Sequence, residues 1–145
     1  MLGVRKRALD LLARREHSVV ELTRKLIDKG FDEVFVHEAL TILVSDGLLS
    51  DARYAESYVR FRMSKGFGPV RIREELRQRG VDAVLIASYV DFQAPCWIEI
   101  ARKAWQKRFG GQFPEEMKAR AKQLQFLNYR GFTTEQTKGI FKDID

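Results

Sequence analysis

Leu76-Arg77-Gln78-Arg79-Gly80-Val81-Asp82 decides the fold, because two further versions of it flank it at nearly equal distances. Leu26-Ile27-Asp28-Lys29-Gly30-Phe31-Asp32 lies 50 residues before it, and Leu127-Asn128-Tyr129-Arg130-Gly131-Phe132-Thr133 lies 51 residues after. Each version has a leucine four residues before glycine, a basic residue just before it, and a hydrophobic residue just after. This is the chemistry of a helix end, where glycine accepts the left-handed conformation and the next apolar side chain folds back. Asp32, Asp82 and Thr133 then supply an N-cap for the helix that follows.

Working outward, apolar spacing is helical nearly throughout. Val4, Ala8, Leu11 and Leu12 form one stripe, Val19, Leu22 and Leu26 a second, and Val36, Leu40, Leu43 and Val44 a third. Ala55, Tyr58 and Val59 follow, then Ile72 and Leu76, then Leu85, Ile86, Tyr89 and Val90. The last third carries Ile98, Ala101 and Trp105, then Met117, Ala121, Leu124 and Leu127, then Thr137, Ile140, Phe141 and Ile144. Ser18-Val19-Val20-Glu21 and Thr133-Thr134-Glu135-Gln136 read as capping boxes. Pro69 and Pro114 suit a first helical turn, where the missing N–H costs nothing.

The expected helices span 4–16, 18–29, 32–46, 51–65, 69–79, 82–92, 96–109, 114–130 and 133–144. No segment alternates with period two. The fold class is all-α: three tandem three-helix repeats, covering 1–50, 51–95 and 96–145. Repeats this small have little core of their own and pack in series, which predicts an elongated or curved array. The third is the loosest, since Gln123 occupies the position of Leu22 and Ile72.

Composition narrows the function. Of 145 residues, 45% are hydrophobic and 32% charged, with a net charge of +6, which excludes a disordered chain. The charge-free run Ala83–Val90 is far short of the roughly 20 residues that span a membrane. The first residues show no apolar core of signal-peptide type, so the chain reads as cytoplasmic. A single cysteine and two histidines cannot build a closed zinc site, and no metal or cofactor is expected. His17 and His37 read as a helix-end and a surface residue, and Cys96 as a small buried hydrophobe. Glu74-Glu75 and Glu115-Glu116 are adjacent on helices and so diverge, leaving no catalytic constellation.

Positive charge accumulates along the chain, from net zero over 1–50 to +2 over 51–95 and +4 over 96–145. That gradient points to a polyanion or an acidic partner surface. Arg71, Arg73, Arg77 and Arg79 lie on a segment whose apolar stripe needs only Ile72 and Leu76, and Arg60, Arg62 and Lys65 precede it. Arginine forks grip phosphates and carboxylates, whereas a solvated helix laced by Arg–Glu pairs is the plainer reading. Lys118, Arg120 and Lys122, with Arg102, Lys103, Lys107 and Arg108, form a second cluster.

The sequence also resembles the RecX regulators of bacterial RecA recombinase. The likeness rests on Leu11-Leu12-Ala13-Arg14-Arg15-Glu16-His17-Ser18, and more strongly on Asp46-Gly47-Leu48-Leu49-Ser50-Asp51-Ala52-Arg53-Tyr54-Ala55-Glu56-Ser57-Tyr58. It continues through Lys65-Gly66-Phe67-Gly68-Pro69 and Ile72-Arg73-Glu74-Glu75-Leu76 to Tyr129-Arg130-Gly131-Phe132-Thr133. The resemblance implies tandem three-helix repeats and a non-enzymatic modulator that lodges in the groove of the RecA–single-stranded-DNA filament; a monomer is expected. It implies limited filament growth or stability, and hence suppressed recombination, ATP hydrolysis and coprotease action. Direct contact with single- or double-stranded DNA is compatible with it. A helix-turn-helix DNA-binding module and a protein-only helical-repeat adaptor remain the alternatives.

Overall fold

A computed structural model describes residues 2–142, and in it the repeated glycines take the backbone that their sequence context demands. Gly30, Gly80 and Gly131 have φ of 96°, 80° and 102°. At each, the following amide donates to the carbonyl of the leucine: Phe31 to Leu26 at 3.2 Å, Val81 to Leu76 at 3.1 Å, Phe132 to Leu127 at 3.2 Å. The glycine amides bond one turn inside these, to Ile27, Arg77 and Asn128, completing the closed helix end. All three leucines are fully buried. Asp32, Asp82 and Thr133 accept from the amides of Val34, Leu85 and Gln136, starting the next helix.

Among the described residues there are nine helices and no strand. They are α1 (Leu2–Arg14), α2 (Val19–Asp28), α3 (Glu33–Ser45), α4 (Asp51–Ser64), α5 (Pro69–Gln78), α6 (Ala83–Tyr89), α7 (Cys96–Phe109), α8 (Met117–Tyr129) and α9 (Thr134–Lys142). None is long and apolar enough to cross a membrane. The protein is an all-α tandem repeat of three-helix units.

By packing, the helices gather into two units. The first takes the chain up to Tyr58 together with Leu76–Ile86. Its core stacks Val4, Ala8 and Leu11 of α1 on Leu22 and Leu26 of α2 and on Val36, Leu40 and Leu43 of α3. Each of the valine and leucine side chains contributes about 1.5–3 kcal/mol on burial. Ser18 accepts from the Glu21 amide at 3.0 Å and donates to the Arg79 carbonyl at 2.8 Å, so one hydroxyl caps α2 and holds the end of α5. The Val19 amide donates to Asp51 Oδ1 at 2.8 Å.

The second unit takes Val59–Glu75 and the chain from Ala87 onward. Trp97, Ala101 and Trp105 line the buried face of α7. Gln123 is buried too, accepting from Trp105 Nε1 at 2.7 Å. The third repeat therefore keeps the register of Leu22 and Ile72 but fills it with a hydrogen bond. Thr133 and Gln136 form a reciprocal capping box at α9, and Gln136 Nε2 also donates to the Phe92 carbonyl at 3.0 Å.

Several expectations need correction. Val44, Ile98 and Met117 are exposed, not core; Trp97 takes the place assigned to Ile98. Cys96 is exposed because it is the first residue of α7, ahead of the buried face. The proline at 114 precedes its helix, which begins at Met117, and its carbonyl instead accepts from Arg120 Nε at 2.9 Å. His17 lies at the helix end, next to the Ser18 cap, as read, and is buried there: its Nδ1 lies 3.0 Å from the Arg15 carbonyl and its Nε2 3.0 Å from Lys25 Nζ. This fits a neutral ring that donates from Nδ1 and accepts from the ammonium. Ile144 lies outside the described residues.

Candidate functional site

The turn Lys65-Gly66-Phe67-Gly68 builds the densest cationic cluster. Gly66, at φ 83°, ends α4 in the same closed manner as the repeat glycines. The Gly68 amide donates to the Arg130 carbonyl at 2.8 Å and the Val70 amide to the Gly131 carbonyl at 2.9 Å. Main chain meets main chain here because Gly68 has no Cβ; one built there would stand 2.4 Å from Gly131 C.

That approach places Phe67 among three guanidiniums. Arg62 Cζ lies 3.7 Å from the ring centroid, and Arg71 and Arg130 each 4.7 Å. Glu75 binds Arg62 through both oxygens at 2.9 Å and accepts from Arg71 Nε at 3.3 Å. Arg71 Nη1 reaches the Tyr129 carbonyl at 3.4 Å, and Arg130 Nη1 the Lys65 carbonyl at 3.2 Å. Glu75 thus bonds two of the three arginines, and the third, Arg130, is held by a main-chain carbonyl. Burial, with Arg71, Arg62 and Arg108 nearby, lowers the Arg130 pKa from its ordinary value. Ring faces offset the crowding by about 0.5–1 kcal/mol per contact.

The other sequence-predicted residues divide between the two units. Lys65 is exposed, its ammonium 5.6 Å from the Phe61 centroid. Arg73 is exposed with its guanidinium 4.6 Å from the Phe92 centroid. Arg60 is exposed on α4, and Lys118 and Lys122 on α8, while Arg120 is half-buried. Arg77 and Arg79 belong to the first unit, where Arg79 lies 4.8 Å from the Tyr58 centroid. Among the described residues, Arg62 and Arg71 of the predicted set converge on Phe67. Arg71 is an anchor inside the second unit, bonded to Glu75 and to the Tyr129 carbonyl. Arg130 was absent from the predicted set, yet the sequence marks it: Lys29, Arg79 and Arg130 make this repeat position basic every time. Among the described residues, no three His, Cys, Asp or Glu side chains stand together to hold a metal.

Comparison with known proteins gives a consistent likeness. Residues 5–43, 50–89 and 98–140 match the family models described as the first, second and third three-helix domains of RecX. A regulatory protein RecX from Pseudomonas entomophila is 48% identical over 134 residues, 92% of this chain and 86% of that protein. One from Ectopseudomonas mendocina is 44% identical over 149 residues, 99% and 96% of the two chains. A crystal structure of regulatory protein RecX superposes with a TM-score of 0.81 at 30% identity, covering 96% of this chain and 71% of that one. The RecX structure from Lactobacillus salivarius gives 0.79 at 23% identity, covering 99% and 95%, a likeness of fold.

Proposed function

The chain belongs to the RecX family of regulatory proteins, and on that premise we propose that it is a non-enzymatic negative modulator of RecA recombinase. It binds the RecA–single-stranded-DNA filament in the helical groove and limits filament growth or stability. Recombination, ATP hydrolysis and coprotease action fall as a result. The observation that carries this reading is the family match across all three repeats. The cationic groups add support. Exposed Arg60, Lys65, Arg73, Arg77, Lys118 and Lys122 offer charge toward a surface made of protein and nucleic acid, while Arg62, Arg71, Arg79 and Arg120 set the helices that carry them.

A titration of this protein into RecA filaments on single-stranded DNA, read as ATP hydrolysis, tests the reading. A dose-dependent fall supports it. Unchanged hydrolysis with tight, sequence-selective binding to naked duplex would replace it with a helix-turn-helix module.

A further inference from the structure

A cavity of about 590 Å³ opens in the second unit between the end of α4, with its turn, and one face of α7. We propose that this cavity is a phosphate-binding site that takes two or more consecutive phosphate groups. It is distinct from the exposed charges assigned to the filament above, sharing only Lys65 with them.

The wall from α7 follows from helical spacing. Ile100, Lys103, Ala104, Lys107 and Arg108 fall at i, i+3, i+4, i+7 and i+8, a stripe separate from the buried one of Trp97, Ala101 and Trp105. The opposite wall is Met63 through Gly66, and Arg130 enters beside it. Gly66 shapes the site: a Cβ there would stand 3.5 Å from Ala104 Cβ and 3.7 Å from Arg130 Nη1, so a larger residue would fill it.

Five cations, from Lys65, Lys103, Lys107, Arg108 and Arg130, line this one concavity, and no Asp or Glu does. Among the described residues none of the five forms an ion pair with a carboxylate, unlike Arg15, Arg53, Arg62, Arg71 and Arg102. Like charges gathered in a hollow without a counter-ion are costly unless an anion neutralises them. Burial and the neighbouring arginines already disfavour the charged form of Arg130, and a bound anion would relieve that.

Phosphate fits better than an acidic peptide. Two guanidinium forks and three ammonium groups suit oxygens that carry charge on successive centres. Met63, Ile100 and Ala104 give an apolar floor on which a sugar can rest. Phe61, 54% exposed with Lys65 beside its ring, offers a face on which an unpaired base can stack. The phosphates therefore come either from a single-stranded nucleic-acid backbone or from the oligophosphate of a nucleotide.

Calorimetry on the full chain, with no recombinase present, tests this separately from the filament reading. The probes are sodium tripolyphosphate, a single-stranded oligothymidylate and a hexaglutamate peptide. Lys103→Ala/Lys107→Ala is expected to weaken tripolyphosphate at least about tenfold, while Lys6→Ala/Lys138→Ala, which removes equal charge from exposed positions elsewhere, changes it less than about twofold. Displacement of tripolyphosphate by oligothymidylate identifies the nucleic-acid backbone as the source; tripolyphosphate binding that oligothymidylate leaves untouched identifies the nucleotide. No binding of either phosphate probe, hexaglutamate binding as tight as tripolyphosphate, or equal loss in both double variants would each overturn the site.

Discussion

Gly68 and Gly131 touch through their backbones, 63 positions apart in the chain, and the nearest heavy atoms to a new Cβ on Gly68 are all main chain. Main chain cannot rotate aside as a side chain does. Gly68→Ala is therefore expected to cost about 2 kcal/mol or more in urea unfolding, because overpacking a filled contact typically costs about 1–3 kcal/mol. A midpoint within error of wild type would show that the turn accommodates the methyl group.

Glu75 holds both Arg62 and Arg71, with its side chain 18% exposed. Glu75→Gln leaves two of the three guanidiniums around Phe67, those of Arg62 and Arg71, without their carboxylate. Breaking a buried pair costs about 3–5 kcal/mol, and partial solvent screening reduces that here to about 2 kcal/mol. Added salt should recover part of the loss by screening the arginines from one another. Thermal melts of the variant at low and high salt check both statements.

Gln123→Leu restores the aliphatic residue of the other repeats, yet it strands the Trp105 indole N–H in the core. A buried donor without a partner costs about 1–3 kcal/mol. The variant should unfold more easily than wild type, and Gln123→Leu/Trp105→Phe should recover stability relative to it. A double-mutant cycle by chemical denaturation gives the coupling between the two side chains.

The pH dependence of stability has two parts. Burial, helped by Arg15 and Lys25, pushes the His17 pKa below its ordinary 6.5. Below pH 6.5 the unfolded chain binds a proton that the native ring refuses, so stability falls on acidification through that window. Burial alone would raise the Glu21 pKa, but the hydrogen bond and charge of Arg15, with His17 and Lys25, hold it below 4.5. Its contribution is present above pH 4.5 and is lost as the pH drops through the native value. His17→Gln should flatten the slope just below pH 6.5 and leave the more acidic limb. An unaltered slope would assign that limb to other groups.

Arg73 and Arg77 are exposed on α5, Arg73 with its guanidinium over the Phe92 ring, and Arg71 is bonded to Glu75 and the Tyr129 carbonyl. Arg73→Ala/Arg77→Ala should lower stability by about 1 kcal/mol, the loss of exposed contacts such as that of Arg73 with Phe92. The same variant should inhibit filament ATP hydrolysis less well and with a weaker dependence on salt. Adding Arg71→Ala should lower the melting temperature as well. Inhibition equal to wild type at every salt concentration would exclude these two side chains from the contact.

Legibility in the sequence differed by feature. Helix ends were written in residues with few alternatives: Gly30, Gly80 and Gly131 need positive φ, and the caps at Ser18 and Thr133 need short polar side chains. The buried face was written less firmly. Apolar spacing fixes a helical period but leaves the phase open when neighbours are equally apolar, as at Trp97 and Ile98. Amphipathic residues were the hardest to place. Gln123 is polar by type and buried because Trp105 supplies its donor, and His17 is buried because Arg15 and Lys25 complete its ring contacts. The cationic cluster was legible as composition only. Its members come from α4, α5 and the residue before Gly131, and no local pattern states that Phe67 brings them together.

The hydroxyl that joins Ser18 to the Arg79 carbonyl spans 61 residues of chain. During synthesis, helix α2 leaves the ribosome long before the carbonyl that it must meet exists. At about 5–20 residues per second that interval is about 3–12 s. Throughout it Ser18 can cap its own helix but gives its proton to water, not to the Arg79 carbonyl, and Val20 faces no Gly80 backbone. The first unit is thus completed late, by a segment from the middle of the chain, and the nascent protein spends seconds with that side of α2 open to chaperones.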